Sequence, residues 1–243
     1  MCPKVSSVSK VSSVQIKLLP GEKISPKFCR GLQLANVKRA QSLTQYMQTL
    51  CALGNLPPIK GQTEKHKQFL GGFILGEGSL NVSAKRGKGA VCGLYLDLEF
   101  SCTQHIHGFW HLINLCYLFQ SGRISYKNGS NATLVFTIQD RTTLWEKVIP
   151  YWQKYITPHA LDDGKGSLFD TFVRLLIAFR EGKHRVADSF VQEMLPLWDS
   201  MRQQKGKGNE SFSSLEEAEV YARLHQKHTK YPAPLRQKIS GVE

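Results

Sequence analysis

The residues able to do chemistry are few and clustered. Glu77 closes the apolar stretch Phe69-Leu-Gly-Gly-Phe-Ile-Leu-Gly-Glu-Gly78 and is its only charged group. A carboxylate at the tip of a packed apolar helix is solvated surface, a buried exception, or a ligand. His105, His107 and His111 lie close together, and the last two have the i, i+4 spacing that zinc ligands use on a helix. There is no H-E-x-x-H and no cysteine at ligand spacing, so phosphate contact or helix-end placement suits these histidines better. The six cysteines contain no C-x-x-C pair, which argues against structural zinc and fits thiols kept in a reducing compartment. Cys102 and Cys116 fall within apolar patterns and are expected in the core. Gly87-Lys-Gly89 lacks the G-x-x-x-x-G-K-[ST] spacing of a phosphate loop and is a hairpin turn.

Glu77 needs an element to hold it. Interior glycine costs a helix about 1 kcal/mol relative to alanine, so a helix with Gly71, Gly72 and Gly76 needs a compensating reason. Gly72 and Gly76 are four apart and share a face, so another helix can lie against them. Gly78 is a natural stop.

After Gly78 the period changes to two. Leu80, Val82 and Ala84 alternate with polar residues, then Leu94, Leu96, Leu98 and Phe100 alternate with Tyr95, Asp97, Glu99 and Ser101. Thr103 and Gln104 end this second strand. Phe109, Leu112, Ile113, Cys116 and Phe119 recur at helical spacing up to Gly122. A second hairpin turns at Asn128-Gly-Ser-Asn131. Asp140 can cap the next helix, which Pro150 should kink or split. Upstream, residues 30–53 hold one or two helices, ended by Gly54-Asn-Leu-Pro-Pro58. Downstream, 157–166 reads as a loop containing Lys165. Helices follow around Leu168–Phe179 and Ala187–Met201, the latter with Pro196 at a kink. Gln203–Gly208 reads as a basic loop, and Ser214 with Glu217 forms a capping box for a last helix with Ala218, Tyr221, Ala222 and Leu224.

The chain has 243 residues and a net charge of +13, which favours a polyanionic partner, nucleic acid first. No apolar run approaches the roughly 18 residues of a membrane span. The serine-rich N-terminus lacks the apolar core of a secretory signal and reads as a flexible basic arm.

Leu70 to Gly78 resembles the LAGLIDADG motif of homing endonucleases. Leu70, Gly72 and Gly78 match by identity, Phe73 and Ile74 match the apolar pair, and Gly71 and Gly76 stand at small-residue positions. Glu77 stands at the second acidic position, which in the family binds the catalytic divalent metal; Leu75 replaces the first. The order read from periodicity matches the family's αββαββα core. The resemblance thus implies an α+β fold whose four-stranded antiparallel sheet is a DNA-binding saddle, with extra N- and C-terminal helices. Segments outside the motif, among them Leu195-Pro-Leu-Trp-Asp-Ser-Met-Arg202 and Gly208-Asn-Glu-Ser-Phe212, look like the single-motif endonucleases encoded by group I introns in large-subunit ribosomal RNA genes, known from algal chloroplasts. On this reading residues 1–26 are the arm and 27–228 a single endonuclease domain. That domain holds motif helix 64–78, sheet core 79–140 and C-terminal helices 141–228, and 229–243 is a flexible tail.

The resemblance implies a chemistry. Glu77, with the Gly76 carbonyl as second ligand, would hold Mg²⁺, for which Mn²⁺ can substitute. Gln104 aligns with a polar residue that positions water or metal. The basic group that orients water varies in the family, and its usual position, three or four residues past Gln104, is Gly108 or its neighbour here; Lys154 and Lys165 are the candidates. One motif per chain implies a homodimer joined through Gly72, Phe73 and Gly76. The DNA-binding set is Ser79, Asn81, Ser83, Lys85, Arg86, Lys88, Arg123, Ser125, Lys127, Thr137 and Gln139, whose donors and acceptors can read base edges. The expected activity is a site-specific double-strand break with short 3′ overhangs at a long pseudo-palindromic site in a large-subunit ribosomal RNA gene. The expected setting is a chloroplast that encodes the protein, with a mitochondrion or bacterial cytoplasm as alternatives, without secretion or membrane partner. The rivals are an intron maturase that binds the intron RNA, a cleavage-inactive DNA-binding regulator and a basic ribosome-associated protein. Glu77 and Gln104 favour the nuclease.

Overall fold

The computed structural model describes residues 23–39, 42–160, 165–205 and 211–226. Most of the expected arm and all of the expected tail lie outside these residues. The last part of the arm does not: Ile24 is buried and the first helix starts at Pro26. In chain order the elements are α1 (Pro26–Arg39), α2 (Leu43–Leu53), α3 (Glu64–Glu77), β1 (Gly78–Arg86), β2 (Leu94–His105), α4 (Phe109–Phe119), β3 (Arg123–Tyr126) and β4 (Thr133–Ile138). Helices follow over 141–155, 165–180, 187–205 and 215–224. The four strands form one sheet in the order β1-β2-β4-β3. From α3 onward this is the αββαββα order expected, in an α+β fold.

The described residues group into two compact units, one within 1–66 and 103–136, the other within 67–102 and 137–243. In the first, Phe28 and Phe109 meet edge to face at 5.3 Å and Phe119 stacks on Phe136 at 6.4 Å. β3 is an edge strand, and side chains satisfy its backbone there. The Ile124 N–H donates to the Tyr46 hydroxyl at 2.8 Å, and Asn36 Nδ2 donates to the Ile124 carbonyl at 2.9 Å.

In the second unit, the period-2 pattern puts Leu80, Val82, Ala84, Leu94, Leu96, Leu98 and Phe100 on one buried face of the β1–β2 hairpin. Trp152 covers that face, edge-on to Phe100 at 6.2 Å and stacked on Phe169 at 5.8 Å. The prolines do not break their helices. Before Pro150 the turn Leu144–Val148 widens, so that the Ile149 N–H reaches the Leu144 carbonyl. Before Pro196 the turn Phe190–Met194 does the same, with the Leu195 N–H on the Phe190 carbonyl. A π turn takes up the register that a proline, without an N–H, cannot keep.

Two loop expectations are corrected. Lys165 already belongs to the helix Lys165–Arg180, and Gln203 to Lys205 continue the helix that starts at 187. Leu224, expected on an apolar face, is 77% exposed. At the last helix Ser214 Oγ caps as expected, accepting from the Glu217 N–H, while the Glu217 carboxylate accepts from the N–H of Ser213, one residue before the cap, and not from that of Ser214.

Asp140 caps the helical run 141–155: its carboxylate accepts from the N–H and the hydroxyl of Thr143, each at 2.7 Å. The hydroxyl bond first and the N–H bond second hold the carboxyl below its usual range. Asp140→Ala should therefore lower stability by about 1 kcal/mol, read as a shifted urea midpoint with an unchanged slope.

Candidate active site

The glycines of the motif helix face two ways. Gly71 faces inward, where a Cβ would stand 2.9 Å from the Tyr155 carbonyl oxygen. Gly78 opens β1 directly behind Glu77, and a Cβ there would stand 2.5 Å from the Ile74 carbonyl oxygen. Its φ is not among the positive values, so close backbone approach, not a left-handed cap, requires glycine at 78. Gly72 and Gly76 face the opposite way. Both are exposed, and a Cβ at either would meet nothing within 4 Å. With Phe69, 53% exposed, and the half-buried Phe73, they form an i, i+3, i+4, i+7 stripe that ends beside Glu77. Sequence reading missed Phe69, although the spacing was there to find it.

Glu77 is exposed at the tip of this stripe. The last carbonyls of a helix lack amide partners within it. Lys165 Nζ donates to one of them, that of Leu75. Cys102 is the register partner of Gly78 and is fully buried. Its thiol is pushed up to about 12, by burial first and then by the Glu77 carboxylate, while Lys165 pulls the other way. Glu77 and Lys165 therefore act electrostatically on one thiol. A cavity of about 130 Å³ lies beside them, lined in part by Gly78, Ser79, Trp152 and Lys165.

These residues fit a hard divalent cation. The carboxylate of Glu77 and the carbonyl of the exposed Gly76 are oxygen donors at the negative end of a helix dipole. The one thiol nearby stays protonated and offers no soft ligand. An oxygen donor set of one or two protein groups suits Mg²⁺ better than zinc. Among the described residues no group of three or more His, Cys, Asp or Glu comes together to hold a metal. His105 Nδ1 accepts from the His107 N–H at 3.3 Å, and burial, then the neighbouring His66, lowers the His111 imidazole.

The remaining candidates are placed unequally. Gln104 lies on β2, two residues past Cys102, and its Oε1 accepts from the His105 N–H at 2.8 Å. A Cβ at Gly108 would stand 2.3 Å from Gln104 Cγ, so glycine at that position makes room for the Gln104 side chain. Lys154 Nζ lies over the Tyr155 ring at 4.7 Å. Tyr155 abuts Gly71, about 9 Å of helical rise from Glu77. Lys165 is held at the tip by the Leu75 carbonyl.

The polar face of the hairpin is a bonded network. Cross-strand partners share a face, and the register pairs Ser79 with Ser101, Asn81 with Glu99, Ser83 with Asp97 and Lys85 with Tyr95. Ser79 Oγ donates to Asn81 Oδ1 at 3.1 Å and Asn81 Nδ2 to Ser101 Oγ at 2.9 Å. Lys85 pairs with Asp97 at 2.6 Å, and Gln139 Nε2 donates to Glu99 at 2.7 Å. Tyr95, Asp97 and Glu99, absent from the expected DNA-binding set, share this face, as the alternation of β2 implies. Arg86 packs over the Phe212 and Tyr221 rings at 5.3 and 5.0 Å, which gives it a structural duty. Lys88, Arg123, Lys127 and Gln139 are exposed, and Ser83 and Ser125 half-buried. Thr137, expected on the open face, is only 8% exposed: like Ser101 at 7%, it is a short side chain on an inner strand.

A glycine-faced helix tipped by an acid, leading straight into a sheet with one polar face, defines a class of α+β protein. The sequence profile described as LAGLIDADG endonuclease matches residues 70–162. The DNA endonuclease I-CeuI of Chlamydomonas moewusii is 38% identical over 215 residues, which cover 88% of this chain and 98% of that protein. The solved group I intron-encoded homing endonuclease I-CeuI complexed with DNA superposes with a TM-score of 0.79 at 38% identity, over 85% of this chain and 100% of that one. The archaeal intron-encoded homing endonuclease I-Vdi141I complexed with DNA shares the fold, with a TM-score of 0.59 at 23% identity over 68% and 98% of the two chains. This chain belongs to the LAGLIDADG endonuclease family. Endonucleases of this family generally depend on a divalent metal. No helix among the described residues is long and apolar enough to cross a membrane.

Proposed function

We propose that this chain is a site-specific homing endonuclease that works as a homodimer on double-stranded DNA, with Mg²⁺, or Mn²⁺ in its place, at Glu77. The observation that carries the reading is the open face of Gly72 and Gly76, on a stripe with Phe69 and Phe73 that ends beside the exposed Glu77. A two-fold contact through this stripe brings two copies of Glu77 together, one for each strand. The bound ion supplies activation of water, neutralisation of the phosphate and support of the leaving oxygen. Glu77 and the Gly76 carbonyl hold it. Lys165, fixed on the Leu75 carbonyl, adds positive charge beside the phosphate, and Gln104 orients water. Lys154, the other basic candidate, precedes Tyr155, whose backbone abuts Gly71 of the motif helix.

The polar side chains of β1 and β2 read base edges by exchanging bonds they now make with each other. Asp97 and Glu99 suit cytosine N4, and Asn81 and Gln139 suit adenine. The product is a double-strand break with short 3′ overhangs at a long, pseudo-palindromic site in an intronless large-subunit ribosomal RNA gene. The setting is a chloroplast that encodes the protein. The test is cleavage of plasmids bearing the intronless or the intron-interrupted gene, with and without Mg²⁺. Discrete cutting of the intronless copy alone, with Mg²⁺, is expected. Absence of cutting together with tight Mg²⁺-independent binding of intron RNA would replace this reading with the maturase.

A further inference from the structure

At the end of the β1–β2 hairpin far from Glu77 lies a cavity of about 810 Å³. Its lining includes Asp97, Gln139, Arg141, Phe179, His184 and Arg185. Phe179 organises the cations: the Arg141 guanidinium lies over its ring at 4.3 Å, and the His184 ring sits against it at 5.0 Å. Arg185 is exposed. Among the described residues neither arginine has a carboxylate within ion-pair distance. Of the acids nearby, Asp97 is committed to Lys85 at 2.6 Å and Asp140 to Thr143 at 2.7 Å, and the exposed Asp188, three residues past Arg185, forms no ion pair with either arginine among the described residues. His184 Nδ1 is buried without a hydrogen-bond partner. An orphaned polar atom beside two unneutralised guanidiniums is the donor set of an oxyanion site.

We propose that this cavity binds a backbone phosphodiester of the DNA flank, held by Arg141 and Arg185 and by His184 Nδ1–H. The inference rests on the endonuclease reading for its choice of DNA. Burial first, then Arg141 and Arg185, depress the His184 imidazole to about 4, so it is neutral at pH 7 and keeps a single proton to donate. The distance follows from the register. Gly78 pairs with Cys102 at the catalytic end, while Leu94 and Asp97 line the cavity. Five to eight strand residues span about 17–27 Å, or roughly five to eight base steps along DNA. The contacted phosphate should therefore lie that far outside the cut, beyond the bases read nearest the centre.

The experiment is a scan of target duplexes carrying one neutral methylphosphonate at successive flank positions, bound by the wild type and by Arg185→Gln. A substitution about five to eight steps from the cut should weaken the wild type about tenfold and leave the variant unaffected, since a charge-assisted bond is lost only once. Arg185→Lys should recover part of the affinity, and the salt slope of Arg185→Gln should fall by about 1. Equal weakening of both proteins at every position overturns the site, as does an unweakened Arg185→Gln. So does a variant that loses affinity for intron RNA and not for DNA. A second arm does not need the nuclease: inorganic phosphate should shift the imidazole NMR signals of His184 in the wild type and not in Arg185→Gln, and no shift in the wild type overturns the site. If the wild type neither binds nor cuts any duplex while phosphate still shifts His184, the endonuclease reading fails and the anion site stands.

Discussion

Glu77→Gln should give a protein that binds its duplex and does not cut it. The substitution keeps the shape of the side chain and removes only its charge. The position is exposed, so no packing is lost. A carboxylate at a helix C-terminus opposes the dipole, so the variant should melt no lower than the wild type and slightly higher. Loss of activity with gain of stability is the signature of a residue kept for function. A metal-ion clamp contributes several kcal/mol to the transition state, and each 1.4 kcal/mol or so is a factor of ten, so single-turnover cleavage should fall by about 10³-fold or more. Binding to the uncut site should change little, because the proposed sequence readout lies on the sheet. Cutting within about threefold of the wild type would remove Glu77 from the active centre, since even one oxyanion donor is worth more than that.

Much of this site was legible because its signals are periodic. The change from helical spacing to alternation after Gly78 located β1, and alternation of Leu94, Leu96, Leu98 and Phe100 located β2 and its buried face. The same alternation places Asp97 and Glu99 on the polar face, although neither is in the expected DNA-binding set; acids can accept from bases, and Lys85 already offsets Asp97. Thr137 shows the limit of alternation: period two gives the face and not the exposure, which depends on what flanks a short side chain. Lys165 falls near the end of the loop expected over 157–166, yet it starts a helix and reaches back to the tip of another. That contact spans 90 residues, and no local pattern encodes it. The cavity at His184 is likewise tertiary, made where the helical turns after Phe179 meet the start of β2.

Two adjacent glycines should respond in opposite ways, and the pair tests the proposed dimer without reference to cleavage. In Gly71→Ala the new Cβ would stand 2.9 Å from the backbone oxygen and 3.0 Å from Cβ of Tyr155. Backbone cannot swing aside, so the monomer fold should lose about 1–3 kcal/mol, a Tm lower by several degrees in a chain of this size. At Gly72 nothing stands within 4 Å of a Cβ. Gly72→Ala should therefore leave the fold intact or stabilise it by up to about 1 kcal/mol, since alanine favours helix. Gly72→Leu should also fold, but it puts a branched side chain on the stripe where two motif helices are to meet. Overpacking costs about 1–3 kcal/mol per site, and a two-fold interface meets it twice, so dimerisation should weaken by roughly 30-fold to 10⁴-fold. Analytical ultracentrifugation would show monomers at concentrations where the wild type is dimeric, and double-strand cutting should fall with them. If Gly72→Leu remains a dimer and cuts normally, the subunits meet elsewhere, and the open stripe beside Glu77 has some other partner. If instead Gly71→Ala is harmless and Gly72→Ala unfolds the chain, the inward and outward faces of the motif helix have been exchanged. The whole placement of Glu77 would then be wrong with them, because one residue of helix rotation is about 100° and carries the carboxylate from the tip of the stripe to its side.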